Sequence, residues 1–209
     1  MVRILIVDDH AIVRKGLKEI LLEAYPSAHI EDVADADSMI NKAKEANWDI
    51  IISDLSLPGL SGLEALKHLK QFVPKIPVLI LSIHPEEQYA IRILKAGAAG
   101  YLNKDTAPDE LVKAVQRVLQ GRKYISSSVA EKLASSPDLE NGKMSHELLS
   151  DREFEVLKLI ASGKTISEIA VLLSLSITTV STYRSRLLAK MDLKNNAELT
   201  MYAIENKLL

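Results

Sequence analysis

The chain has 209 residues, 47% of them hydrophobic and 26% charged, a composition that excludes disordered and fibrous proteins and, by length, allows one domain or two. It has no cysteine, which excludes a disulfide framework, a thiolate zinc site, an iron–sulfur cluster and a thiol nucleophile. The net charge of −2 is uneven: residues 1–121 carry 14 basic and 17 acidic side chains, and residues 150–209 carry 8 and 7.

The opening run Met1–Val7 is apolar, of strand length, and ends in Asp8 and Asp9. It is too short for a signal-peptide core and no segment reaches the length of a membrane span, so a cytoplasmic protein with no membrane partner is expected. Strands are predicted at Arg3–Val7, His29–Val33, Asp49–Ser53, Pro77–Leu81 and Ala99–Leu102, three of them continuous Ile/Val-rich runs of the kind covered on both faces. Helices are predicted between and after them, at Ala11–Ala24, Ser38–Ala46, Gly62–Phe72, Glu86–Ala96 and Pro108–Gln120. Leu17, Ile20, Leu21 and Ala24 illustrate the spacing, at i, i+3, i+4 and i+7. Five alternations predict an α/β domain over residues 1–121: a doubly wound, flavodoxin-like (βα)5 parallel sheet with right-handed crossovers.

After Gly121 the composition changes. Residues 122–145 read as a linker with one short helix, capped by Ser126-Ser127-Ser128 and running through Leu133. Residues 146–209 are predicted to be an all-α domain of four helices. Ser150 with Glu153 forms a capping-box start, and further helices fit Ser167–Leu173, Ile177–Met191 and Asn196–Asn206.

In a doubly wound sheet the ligand site lies at the carboxyl ends of the strands. There the sequence places Asp8, Asp9, Asp54, Ser82 and Lys104. Clustered carboxylates repel one another and call for a cation or raised pKa values. Oxygen-only ligands, with no histidine or cysteine nearby, favour Mg²⁺. A carboxylate in such a site can attack phosphorus and form an acyl phosphate, with Lys104 and Ser82 as partners for the phosphoryl oxygens. Each element alone has a plainer reading: Asp9 as a cap for the helix at Ala11, Lys104 as a solvated lysine, Tyr101 as a core aromatic. Together they define one site.

In this order, Asp8-Asp9, Asp54-Leu55-Ser56-Leu57-Pro58-Gly59, Ser82 and Tyr101 three residues before Lys104 resemble the receiver domain of two-component response regulators. The resemblance implies that Asp54 is the phospho-acceptor. It implies that Asp9 and Asp54 bind Mg²⁺ with Asp8 assisting and the Ser56 carbonyl completing the set, and that Ser82 and Tyr101 form a switch pair beside Lys104. His84 would lie near the path of a hydrolytic water. Asp105 departs from the proline common in receivers.

Ile166–Met191 reads as two helices joined by Ser174-Leu175-Ser176. Ile169, Ala170, Leu172 and Leu173 form one apolar face, and Val180, Leu187, Leu188 and Met191 form the next, which is helix-turn-helix spacing. From Ile169 to Met191 there is no acid, while Arg184, Arg186 and Lys190 fall there. Hydroxyls and arginine on the second helix suit phosphates and base edges; a four-helix protein-interaction module is the alternative from periodicity alone. Leu149-Ser150-Asp151-Arg152-Glu153-Phe154-Glu155-Val156-Leu157, Ile160-Ala161-Ser162-Gly163, Glu168-Ile169-Ala170 and Thr179-Val180-Ser181-Thr182-Tyr183-Arg184 resemble the LuxR-type DNA-binding domain. With a receiver in front, the chain resembles a NarL/FixJ-family response regulator. By that resemblance Ser181, Thr182 and Ser185 face bases, while Thr178, Thr179, Tyr183, Arg184 and Lys190 contact phosphates. Many relatives carry lysine where Ser181 stands and histidine where Tyr183 stands.

The implied function is transcriptional regulation of double-stranded DNA, with a sensor histidine kinase donating phosphate to Asp54, and no metabolic enzyme activity. The last helix, with Leu199, Met201 and Tyr202 and the neighbouring Ala203 and Ile204, is expected to supply a homodimer contact. Two rivals remain at this stage: a Mg²⁺-dependent aspartyl-phosphate phosphatase, which would need a second general acid and a substrate cap, and a receiver-like scaffold that is never phosphorylated.

Overall fold

The computed structural model describes residues 1–58, 62–126, 129–131, 146, 149–206 and 208–209. The chain divides into two compact units, Met1–Pro137 and Asp138–Leu209.

In the first unit five strands, β1 (Arg3–Val7), β2 (His29–Val33), β3 (Ile50–Asp54), β4 (Val78–Ser82) and β5 (Gly100–Asn103), alternate with five helices, α1 (Ala11–Ala24), α2 (Ala36–Glu45), α3 (Gly62–Phe72), α4 (Glu86–Lys95) and α5 (Ala107–Leu119). The sheet is parallel throughout, in the order β2-β1-β3-β4-β5. This is the doubly wound, flavodoxin-like architecture expected. The two-residue period of each strand divides the core. Ile4, Ile6, Ile50, Ile52, Leu79 and Leu81 face Leu17 and Leu21 of α1 and Leu111, Val115 and Val118 of α5. The intervening residues Leu5, Ile51 and Ile80 are buried too, so every central strand needs apolar side chains on both faces. Burying one such side chain stabilises by about 1.5–3 kcal/mol.

Three strands run one residue further than the apolar runs suggest. Asp54 pairs with Leu81 and Ser82 with Asn103, because a parallel ladder joins backbone groups and continues under a polar side chain. The consequence is functional: Asp54 and Ser82 stand on the rigid ends of strands and not in loops. At the close of the unit Ser126 accepts from the Val129 amide and Glu86 accepts from the Ser126 amide. Residues 129–131 are helical, in keeping with the predicted short helix, whereas residues 127–128 and its end at 132–133 lie outside the described residues.

The second unit contains α6 (Asp151–Ala161), α7 (Ile166–Leu172), α8 (Ile177–Met191) and α9 (Asn196–Glu205). Ser150 and Glu153 form the predicted capping box, and Thr165 with Glu168 forms another. Phe154, Leu157, Ile169, Val180, Leu187 and Leu199 make a core with no more than trace exposure. Helices α7 and α8 meet at 112°, within the range of helix-turn-helix units, across a turn in which Ser174 takes a left-handed conformation (φ 54°). Leu172 departs from its predicted inward face and is 58% exposed. It sits roughly 200° round the helix from buried Ala170. Among the described residues no single helix is long and apolar enough to cross a membrane.

Candidate functional site

The acidic site forms at the carboxyl ends of β1, β3 and β5. Asp8 has no exposed surface and Asp54 is buried. Two charges so placed need a partner, and Lys104 supplies it. Its Nζ donates to Asp8 Oδ2 at 2.7 Å and to Asp54 Oδ2 at 2.8 Å, drawing together residues 96 and 50 positions apart. Lys104 is held in turn by its own amide, which donates to the Ser82 carbonyl at 2.8 Å. Burial raises the Asp54 carboxyl above its ordinary range against the pull of Lys104. Burial alone would lower Lys104, but hydrogen bonds to Asp54 and Asp8 carry the ammonium above its usual value.

Asp9 is exposed and does not cap α1. The cap residue is His10, whose side chain makes no cap bond. Its ring instead lies on the acid pair, with Nδ1 2.7 Å from Asp9 Oδ1 and 3.3 Å from Asp8 Oδ1. A histidine therefore does stand beside the three carboxylates, where the sequence reading expected none nearby. Its position directly after Asp9, at a helix start, was the available signal. Arg14 was also missed. It donates to the Asp8 carbonyl at 2.7 Å and to Asp32 at 2.9 Å, fixing the turn after β1. Ligand atoms of Asp8, Asp9, His10 and Asp54 lie within 4.8 Å of one another, a grouping that fits a divalent cation. Ser56 is exposed two residues beyond Asp54; Gly59 lies outside the described residues. Gly62 is required beside this loop, since any Cβ there would collide with the Leu55 backbone.

Ser82 is buried at the end of β4 and its Oγ accepts from the His84 amide at 3.1 Å. Tyr101 is buried and its hydroxyl donates to the His84 carbonyl at 2.7 Å. The His84 ring stacks on Tyr89, centroids 4.6 Å apart. The peptide bond between Lys104 and Asp105 is trans, and the Asp105 amide is held by Asn103 Oδ1.

On α8, Thr178, Ser181, Thr182, Ser185 and Arg186 are exposed, and Thr179, Tyr183 and Arg184 half-buried, opposite buried Val180, Leu187 and Met191. Thr182 and Ser185 donate to carbonyls four residues back, leaving oxygen lone pairs outward. Arg184 is oriented by Asn196, Nε to Oδ1 at 2.6 Å. Lys190 is exposed and makes an ion pair within its own unit. Its Nζ donates to Glu153 Oε2 at 2.6 Å, because the capping-box carboxylate is buried and needs a charge partner. On α9, Leu199 has no exposure while Met201 is 64% and Ile204 60% exposed. Leu199 and Ala203, four residues apart, share the buried face, so Leu199 belongs to the core and is not available to a partner. Tyr202 is half-buried, its hydroxyl 2.8 Å from His146 Nδ1.

A parallel five-stranded sheet with a buried, lysine-bridged acid site, followed by a helix-turn-helix unit, defines a two-part regulator. Residues 4–116 match the response regulator receiver domain and residues 147–203 the bacterial regulatory proteins of the luxR family. The chain belongs to the response regulators, in the NarL/FixJ family that joins a receiver to a LuxR-type helix-turn-helix domain. Response regulator UvrY of Escherichia coli K12 is 32% identical over 209 residues, covering 100% of this chain and 96% of UvrY. RcsB from Salmonella enterica serovar Typhimurium, solved bound to promoter rprA in the presence of the phosphomimetic BeF3−, is 29% identical, with a TM-score of 0.57, over 97% of this chain and 98% of that one. A structure of two RcsB dimers bound to two parallel DNAs matches at 29% identity and a TM-score of 0.58, over 96% and 97%.

Proposed function

We propose that a sensor histidine kinase phosphorylates Asp54, that the phosphoryl group is read by Ser82, Tyr101 and Lys104, and that the result is sequence-specific binding of double-stranded DNA by α8. The functional units are residues 1–121, a linker at 122–145 and residues 146–209. The observation that carries the reading is the bridge from Lys104 to Asp8 and Asp54. It assembles an acceptor, a cation and a metal-binding carboxylate at the switch-point end of the sheet, where phosphoryl ligands bind in this architecture.

Asp9, Asp54 and the Ser56 carbonyl would hold Mg²⁺ with Asp8 assisting, and the ion would neutralise the phosphoryl oxygens during transfer. Asp54 acts as nucleophile, Lys104 orients one phosphoryl oxygen, and the Ser82 hydroxyl donates to another. Movement of Ser82 carries the His84 backbone with it, and with that the hydroxyl of Tyr101. The protein is a regulator whose phosphotransfer serves signalling and not turnover of a metabolite.

The DNA-facing surface comprises Thr178, Thr179, Ser181, Thr182, Tyr183, Arg184 and Ser185. Exposed Met201, with Tyr202 beside it, would form the homodimer contact on α9, in keeping with the RcsB dimers on DNA. The test is incubation of the full chain with acetyl phosphate and Mg²⁺, followed by intact mass. A gain of one phosphoryl group that Asp54→Ala and excess EDTA each abolish supports the reading. Labelling that survives either contradicts it.

A further inference from the structure

A cleft lies at the opposite end of the sheet from Asp54. It has a volume of about 490 Å³ and is lined by residues at the amino ends of β3, β4 and β5 and the carboxyl ends of α3 and α5, a size that suits a small molecule. Lys70, Lys75, Arg122 and Lys123 line it against one carboxylate, Asp49, whose Oδ2 is already held by the Arg3 amide at 2.8 Å. Lys70 is half-buried. Its Nζ donates to the Ile76 carbonyl at 2.7 Å and to the Pro74 carbonyl at 3.3 Å, two of the three donors of an ammonium. Burial holds its pKa below the ordinary value, with no carboxylate answering it. Among the described residues no carboxylate forms an ion pair with Lys75, Arg122 or Lys123 either.

Helix dipoles account for part of this positive charge and not the whole. The carboxyl ends of α3, α4 and α5 bring about half a negative charge each, roughly 1.5 in all, whereas four cations less Asp49 leave three positive charges. The excess of about 1.5 matches the charge of one phosphate monoester near neutral pH. The wall that carries two of the cations is preformed. Gly121 takes a left-handed conformation (φ 75°) at the end of α5. The Arg122 amide then donates to the Arg117 carbonyl at 3.0 Å and the Tyr124 amide to the Ala99 carbonyl at 2.9 Å, which carries Arg122 and Lys123 back beside the start of β5. Pro77, Ala99 and Leu119, all half-buried, give the same cleft an apolar surface.

We propose that this cleft binds a small organic phosphate, its phosphoryl group held by Lys70, Arg122 and Lys123 and its carbon body against Pro77, Ala99 and Leu119. The phosphoryl oxygens accept from the third donor of Lys70 and from the guanidinium of Arg122, charge-assisted bonds of the strong kind. Arg122 and Lys123 open the linker, so a bound ligand fastens the start of the linker to the sheet at a point remote from Asp54.

The test is calorimetry on the full chain without divalent metal, at constant ionic strength, with AMP, glucose 6-phosphate, inorganic phosphate and adenosine as probes. At least one of the two organic phosphates should bind with a Kd of about 1 mM or tighter and more tightly than inorganic phosphate, while adenosine shows no binding. Asp54→Ala should bind the same probe equally, which separates the cleft from the acid site. Lys123→Gln, at an exposed position, should weaken binding about tenfold, the scale of one hydrogen bond to a charged group, and Lys70→Met should do likewise. The bound probe should slow tryptic cleavage after Arg122 and Lys123 several-fold in wild type. Failure of both organic phosphates to bind, binding no tighter than that of inorganic phosphate, equal binding of adenosine, or an affinity unchanged in Lys123→Gln would each overturn the proposal.

Discussion

The amide of Tyr101 donates to the carbonyl of Tyr124 across 3.2 Å, and the Tyr124 amide donates back to Ala99 at 2.9 Å. The edge of β5 is thereby paired with the segment that leads out of the first unit. Tyr124 is anchored a second time by its hydroxyl on Glu110 at 2.7 Å, and burial together with that carboxylate pushes its pKa up to about 12. Hydrogen bonds run without a break from Ser82 Oγ to the His84 amide, and from the His84 carbonyl through Tyr101 to Tyr124. Under the proposed function, such a chain would give phosphorylation a route to the linker, and coupling along it is open to direct test.

Gly100 makes the close approach possible. A Cβ there would stand 2.7 Å from the Tyr124 carbonyl oxygen and 2.9 Å from Leu79 Cδ1. Gly100→Ala is expected to label on Asp54 like wild type, to expose Arg122 and Lys123 to trypsin several-fold faster, and to lose most of the phosphate effect on DNA affinity. Unchanged proteolysis and unchanged coupling would show that the Tyr101–Tyr124 pairing is only structural.

Lys104→Ala leaves buried Asp8 and Asp54 without their shared cation. Loss of one partner from a buried pair costs about 3–5 kcal/mol, and here a bound divalent ion can replace the ammonium. Urea unfolding should show the variant destabilised by about 3 kcal/mol without added metal, with much of the loss restored by Mg²⁺ or Mn²⁺. The variant should still accept phosphate while DNA affinity no longer responds to it. A response equal to that of wild type would make Lys104 a bystander in signalling.

Lys190 is bonded to Glu153, and we propose that this ion pair, more than a DNA contact, is its role. Burial alone would raise the Glu153 carboxyl, but Lys190 and Ser150 hold it below its ordinary 4.5. Because its folded pKa is depressed, this carboxylate contributes stability that is present above pH 4.5 and lost as pH falls through the folded value. The Lys190 side chain is 43% exposed, so solvent screening cuts the cost of Lys190→Met to about 1–2 kcal/mol. Its acid unfolding should begin at higher pH than in wild type. The salt dependence of DNA binding should be unchanged, whereas loss of a phosphate contact would reduce the slope by about 0.9.

Much of this was legible in the sequence because both units obey simple periods. The central strands read as continuous Ile/Val runs, and Ser150 with Glu153 announced α6. Asp54 and Ser82 fell one residue outside their predicted strands because hydropathy ends where polar side chains begin, while the backbone ladder does not. Leu199 and Met201 are both apolar on a short helix, and only packing against α6 decides which of them is covered. His10 was overlooked because its meaning lies in where the start of α1 turns its ring, which residue type does not reveal.

Met201 should carry partner binding with little role in the fold. Met201→Glu is expected to change stability by under about 0.5 kcal/mol, as for an exposed site. It should weaken binding to an operator with two half-sites by about tenfold, or 1.4 kcal/mol, and leave binding to a single half-site unchanged. Equal loss on both DNAs would place Met201 in the monomer's own DNA contact and not between subunits.

The most direct test of the whole account is the DNA affinity of wild type and Asp54→Ala, measured by gel shift on a genomically selected operator before and after acetyl phosphate with divalent cation. Phosphorylation should tighten wild-type binding about tenfold or more, equivalent to at least 1.4 kcal/mol, and leave Asp54→Ala where it was. An equal response in both proteins, or none in wild type that is fully phosphorylated by intact mass, would contradict control of DNA binding through Asp54.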